Sequence, residues 1–159
     1  MALTRINNQA LANVTSAGLP TGSVLQVVSG TTTTQTSVTG STFVDTGLTA
    51  SITPSSSSSK ILIIASQQMA SNNGGSAGSW QIIFKLMRGS TDIYESHRSP
   101  WLYNQIGIGT VNSISYLDSP TTTSSVTYKT QARNGSASGN MTAQMGSSLS
   151  SMILMEIAG

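Results

Sequence analysis

Two runs stand out along the chain as almost continuously apolar, Lys60 to Met69 (KILIIASQQM) and Met152 to Ile157 (MILMEI). Both are too short to span a bilayer, and runs of this length set among turn-forming residues read as strands buried on both faces. They are therefore expected to be central strands, antiparallel to their neighbours. An apolar segment at the end of a chain has to be tucked into a sheet, so the second run should close the fold. Around them the pattern is period two. Val126 to Arg133 alternates cleanly, Ile106 to Leu117 alternates with Val111, Ile114 and Tyr116 prominent, and Ser23 to Ser29 is a short β-rich run. Trp80 to Arg88, the pair Gly89-Ser90 and Thr91 to Glu95 form a predicted hairpin.

Between the strands lie turn signals. Phe43 to Gly47 and Thr49 to Thr53 are expected to flank a turn at Gly47, with Pro54 ending the second. The serines from Ser55 to Ser59 and the stretch Ser71 to Ser79 read as loops, and Asp118 to Thr123 as a connector. His97 to Gln105 holds Pro100, Trp101 and Tyr103 in an irregular setting, and Met141 to Met145 is a short run before the last strand. No stretch keeps a 3.6-residue period. Eight to ten short strands at near-regular spacing predict an all-β antiparallel β-sandwich or jelly roll. Residues 1–21 differ: Ile6, Leu11, Val14 and Leu19 give anchor points but no face that buries itself, and Gly18 to Gly22 ends the stretch with turn chemistry. The expected organisation is an extended N-terminal arm, residues 1–21, and one sandwich domain, residues 22–159.

Composition narrows the class of function. Only 8% of the 159 residues are charged, against about 25% in an ordinary soluble domain. The rest of the polar surface is Ser, Thr, Asn, Gln and Gly. The seven cations are scattered and form no run, whereas a nucleic-acid binder clusters them on one face with aromatics interleaved, so nucleic-acid binding is not expected. There are no cysteines, hence neither disulfides nor thiolate metal sites. No signal peptide or membrane helix is apparent.

No catalytic constellation emerges. His97 is the only histidine, and no Gly-x-Ser-x-Gly elbow accompanies it. Asp92 and Glu95, three apart on a strand, point to opposite faces unless a bulge intervenes, so they are not expected to form an acid pair. Gly107-Ile108-Gly109 lacks the third glycine and the helix of a nucleotide loop. Metals and cofactors are not expected. Trp80, Trp101 and Tyr103 suit stacking on a sugar ring, an interface, or the core. Glu156, an acid inside the closing strand, is expected either to pair with Lys or Arg or to mark a face that meets solvent or another subunit.

Four stretches carry a resemblance. They are Ile6 to Val14 leading to Gly18-Leu19-Pro20; Gly22 to Val27; Tyr116 to Pro120 followed by Tyr128-Lys129; and Ile153 to Ile157. In these the chain resembles small virion structural proteins of tailed bacteriophages. The resemblance implies a non-enzymatic protein on the virion exterior, made in the host cytoplasm. Its arm (Ile6, Asn8, Leu11, Val14 and Leu19) would bind a capsid or tail protein, and its jelly-roll module would project as a homotrimer. The chain has no repetitive shaft, which favours a compact capsid decoration, or cement, protein or a short fibre tip, the first being the leading expectation. The alternative is a tail fibre tip that binds a receptor or host surface glycan.

Overall fold

The structure is a computed structural model that describes residues 19–72, 78–105, 107–135 and 140–159; for residues 71–72, 78–80, 97–105 and 107–108 it describes the backbone alone. The described residues form ten strands and one 3-10 turn. The strands are β1 (Val24–Thr32), β2 (Thr36–Thr39), β3 (Val44–Ile52), β4 (Lys60–Asn72), β5 (Gly78–Arg88), β6 (Thr91–Gln105), β7 (Gly107–Asp118), β8 (Val126–Asn134), β9 (Asn140–Ala143) and β10 (Ser150–Ile157). They make two antiparallel sheets, as expected. One has six strands, in the order β1-β10-β4-β9-β2 with β7 on the other edge of β4, and the other has four, in the order β3-β8-β5-β6.

The six-stranded sheet is simpler than its count suggests. β10 pairs with the first half of β4 and β9 with the second half. β1 and β2 pair in turn with β10 and β9. Thus β9 and β10 are one long strand interrupted by the 3-10 turn at Met145–Ser147, and β1 and β2 are one long strand interrupted at 33–35. Successive strands pass from sheet to sheet, and the hairpin β5–β6 predicted at Gly89-Ser90 joins neighbours within one sheet.

Sheet-to-sheet packing follows from the period of two. β10 turns Ser150, Met152, Leu154 and Glu156 inward, and β8 turns Val126, Tyr128, Thr130, Ala132 and Asn134 inward. Ile61, Ile63 and Met69 of β4 and Ile82, Phe84 and Leu86 of β5 complete the dry core between the sheets. At one edge the layers nearly touch: a Cβ on Gly30 of β1 would collide with the Thr49 carbonyl of β3, so only glycine fits there.

A hydrogen-bonded cluster is buried within this apolar layer. Thr46 Oγ1 lies 2.6 Å from Thr130 Oγ1, and both hydroxyls reach Gln67 Oε1, at 3.0 and 2.9 Å. Gln67 Nε2 donates to Ser150 Oγ at 3.1 Å, and the Gln144 amide sits 3.1 Å from the same oxygen. Thr46 and Thr130 belong to one sheet and Gln67 and Ser150 to the other, so the cluster fixes how the sheets sit on each other.

Three expectations are corrected. Gly47 is not a turn: β3 runs through it, and its φ of +84° marks a bulge where the pairing with β8 shifts between Asp45 and Thr49. The segment His97 to Gln105 is not irregular but lies in β6, an edge strand, where Pro100 is tolerated because half of the backbone donors face outward. β4 and β10 are central and paired with each other, yet they are not buried on both faces. Their second set of side chains points out of the sandwich, and Ile64 is 39% exposed.

Candidate functional site

The sandwich has two ends and two outer faces, and the sequence-predicted residues distribute over them unevenly. One end gathers the start of β1, the loop 53–59, the Gly89-Ser90 turn, the connector 119–125 and the end of β10. Here Gly22 N donates to Ala158 O and Ala158 N donates to Ser23 O, each at 2.8 Å, so the two ends of the described chain are stitched side by side. Leu19 lies just before this stitch and is exposed. Ile6, Asn8, Leu11 and Val14 lie outside the described residues.

Glu156 is at this end, and its environment corrects the sequence reading. It has no solvent exposure and faces inward from β10. Gln26 Nε2 donates to its Oε2 at 2.6 Å, and Ser55 donates twice to its Oε1, from the backbone N and from Oγ, both at 2.7 Å. The partners are neutral donors, neither Lys nor Arg, and they satisfy the carboxylate inside the chain. An acid so satisfied needs no second subunit, so the reason for placing Glu156 at a subunit boundary falls away. Burial alone would raise its pKa; the donors from Gln26 and Ser55 outweigh that and hold the carboxyl below its ordinary value.

Next to it, Asp118 closes the other side of the same end. Arg88 Nη1 donates to both of its oxygens at 3.0 Å, and the buried Tyr128 hydroxyl donates to Oδ2 at 2.7 Å. Burial, and then the bond to Asp118, pushes the Tyr128 pKa upward, so its proton stays in place. Gln26, Glu156, Ile61 and Asp118 are successive partners across four strands, in one inward-facing row.

The three aromatics lie toward the opposite end, on neighbouring strands. The backbone of Trp80 in β5 is opposite Leu102 in β6, between Trp101 and Tyr103, in a region where the pairing shifts repeatedly. They are strand residues rather than loop residues.

The outer face of the four-stranded sheet carries most of the described charges. Lys85 bridges Asp92 and Glu95, the latter at 3.4 Å, and Arg133 lies 4.0 Å from Glu95. Lys129 and Gln131 both donate to Asp45, at 2.9 and 2.7 Å. The Phe43 ring sits beneath two cations, 4.4 Å from Lys85 Nζ and 5.0 Å from Arg133 Cζ. Asp92 and Glu95 come to one side because Ile93 is an extra residue: Leu86 pairs with Tyr94 but Met87 pairs with Asp92. That bulge brings them to a lysine and leaves them paired with it. The bond from Asp92 above all raises the Lys85 pKa, and hydrogen bonds from Lys129 and Gln131 outweigh desolvation to lower that of Asp45.

The outer face of the six-stranded sheet is different in kind. Val27, Met155, Leu62 and Leu117 are direct partners across β1, β10, β4 and β7, and they share this face. Val27 is 55% exposed and Leu117 50%. The next row outward is Ser29, Ile153, Ile64 and Ser115. Val24 and Ile157 extend the apolar surface toward the stitched end, where Lys60 adds a single charge at the margin. Sequence reasoning missed this face because it buried both sides of β4 and β10. The available signal was the alternation of Val111, Ser113, Ser115 and Leu117 against inward Ile114 and Tyr116.

All five side-chain carboxylates of the chain are thus engaged by donors within the fold: Asp45, Asp92, Glu95, Asp118 and Glu156. Among the described residues no three His, Cys, Asp or Glu side chains group as metal ligands. No protein-family model matches the chain, and no curated protein sequence is significantly similar to it.

Proposed function

We propose that this chain is a non-enzymatic structural protein on the exterior of a tailed-bacteriophage particle, attached by its N-terminal arm as a capsid decoration protein. The observation that carries the reading is the stitched end. Three of the four stretches that resemble virion proteins meet there: Gly22 to Val27 pairs with Ile153 to Ile157, and Tyr116 to Pro120 meets Tyr128 through the Asp118–Tyr128 bond. These residues hold a fold together and engage one another, as befits a protein whose role is mechanical. The described chain begins at this end, so with an arm attached there the end would face the particle while the sandwich projects. A jelly-roll reading of the sandwich is supported by two layers ordered β1-β10-β4-β7 and β3-β8-β5-β6, with connections alternating between them. The trimer rests on the resemblance alone.

Many weak contacts per copy, multiplied by the symmetry of a shell, would give firm attachment without one large interface. The test is binding of purified full-length protein, and of protein lacking residues 1–21, to particles stripped of it. Saturable binding that the truncated but folded protein loses supports the reading; equal binding by both refutes the arm.

A second reading has one specific observation in its favour. The backbone of Trp80 on β5 and of Trp101 and Tyr103 on β6 lies toward the end opposite the stitched one, where a fibre tip would present a glycan-binding surface. Glycan binding lost in Trp101→Ala, with the thermal transition unchanged, would favour the fibre tip over decoration.

A further inference from the structure

The outer face of the six-stranded sheet is apolar across β1, β10, β4 and β7 at its centre and carries one charge, at the margin. A twofold axis laid along the strand direction exchanges β1 with β7 and β10 with β4. Under it, Val27 of one copy meets Leu117 of the other, and Met155 meets Leu62. In the next row Ile153 meets Ile64 and Ser29 meets Ser115. The hydroxyl row Thr31, Ser151, Ser66 and Ser113 likewise falls on itself. Lys60, the one charge at the margin, falls opposite Ile157 rather than a second Lys60. Such an axis lays each row on itself, so the apolar centre of the face meets an apolar centre and the one marginal charge meets no like charge, as an isologous contact requires.

Size and charge point the same way. Four strands about 4.8 Å apart and rows about 3.4 Å apart, over the seven paired positions from Ser151 to Ile157, cover on the order of 500 Å² of sheet. A face-to-face pair would bury about 1,000 Å², the lower end for a specific interface. Depletion of charge at the centre of the patch is the compositional mark of such interfaces. A charged partner would find no counterpart here.

We propose that this face is where a second copy of the chain docks, sheet on sheet, about a twofold axis along the strands. The pairing goes beyond the particle reading and does not rest on it. An interface of this size is weak, so the weight-average mass of the full-length chain rises from one copy toward two between about 1 and 100 µM. Sedimentation equilibrium reads this directly. Leu117→Lys and Val27→Lys weaken the pairing at least about tenfold, while Thr127→Lys, exposed on the outer face of the other sheet, leaves it unchanged. Because the chain has no cysteine, Leu117→Cys gives a second readout should a lysine variant fail to fold: its thiol is labelled more slowly at the top of this concentration range than at the bottom. Four results overturn the proposal: a single-copy mass throughout, undiminished pairing by folded Leu117→Lys, a three-copy mass, or a thiol in Leu117→Cys that is already protected in the single copy. The third would leave the trimer of the resemblance intact. The particle-binding test above can fail or succeed independently of all four.

Discussion

The two outer faces of this sandwich are built from strands of similar length and similar alternation, yet they solve the problem of facing outward in opposite ways. The face of β3, β8, β5 and β6 carries Lys85, Asp92, Glu95, Arg133, Lys129 and Asp45, joined into ion pairs around Phe43. The face of β1, β10, β4 and β7 carries Val27, Met155, Leu62 and Leu117 in a row. In a chain with only 8% charged residues, placing so many of them on one face is informative. Water satisfies the first face. The second gains free energy only when something apolar covers it.

The sharpest way to break this comparison is within β10, where adjacent residues belong to different worlds. Leu154 is fully buried between the sheets, whereas Met155 points out of the apolar face. Leu154→Asp should place an unpaired charge in the core, cost at least about 4 kcal/mol, and abolish the cooperative thermal transition. Met155→Asp should leave that transition within a few degrees of wild type. From sequence, either Ile153→Asp or Met155→Asp would be expected to unfold the domain. The facing of the strand reverses that expectation.

Glu156 gives the next largest effect. Glu156→Lys turns a cation toward Gln26 and the Ser55 donors and should cost about 3 kcal/mol or more, seen as a lowered denaturant midpoint. The pH dependence follows from the depressed carboxyl. The unfolded chain binds the proton at the ordinary glutamate value, near 4.5, and the folded chain only below it. The stabilisation is therefore complete above pH 4.5 and is lost as pH falls through the folded value. Glu156→Gln should flatten the acid limb of a stability–pH curve.

Smaller changes separate the interior from the charged face. Gln67→Leu removes the link between Thr46, Thr130 and Ser150 and should cost about 1–3 kcal/mol by chemical denaturation, insensitive to salt. Lys129→Ala on the charged face should cost about 0–1 kcal/mol, and that small cost should shrink further at high ionic strength.

How much of this was legible in the sequence depends on whether a residue's neighbours reveal its facing. Val126 to Arg133 alternates with polar residues, so β8 and its inward Tyr128 could be read directly. Ile61-Leu62-Ile63-Ile64 contains no polar residue to mark the outer side. A strand with one exposed apolar face and a strand with none look the same along the chain. The buried cluster was hidden for the converse reason: Thr46, Gln67, Thr130 and Ser150 are ordinary surface residues until a second sheet lies across them. The Ile93 bulge decided where Asp92 and Glu95 point, and a single inserted residue leaves no mark in composition. Glu156 stands out in the sequence as an acid inside an apolar strand, but its donors, Gln26 and Ser55, are 130 and 101 residues away. Only the closed fold brings them to it.

The central claim, that of the two outer faces the apolar one is a contact surface between copies and the charged one is not, can be tested on the unaltered chain by methionine oxidation. Met155 lies on the apolar face and Met145 is exposed in the 3-10 turn outside it. Peroxide oxidation followed by peptide mass spectrometry, at concentrations from about 1 to 100 µM, should show the Met155 rate falling severalfold while the Met145 rate stays constant. A Met155 rate that tracks Met145 at every concentration would contradict the claim.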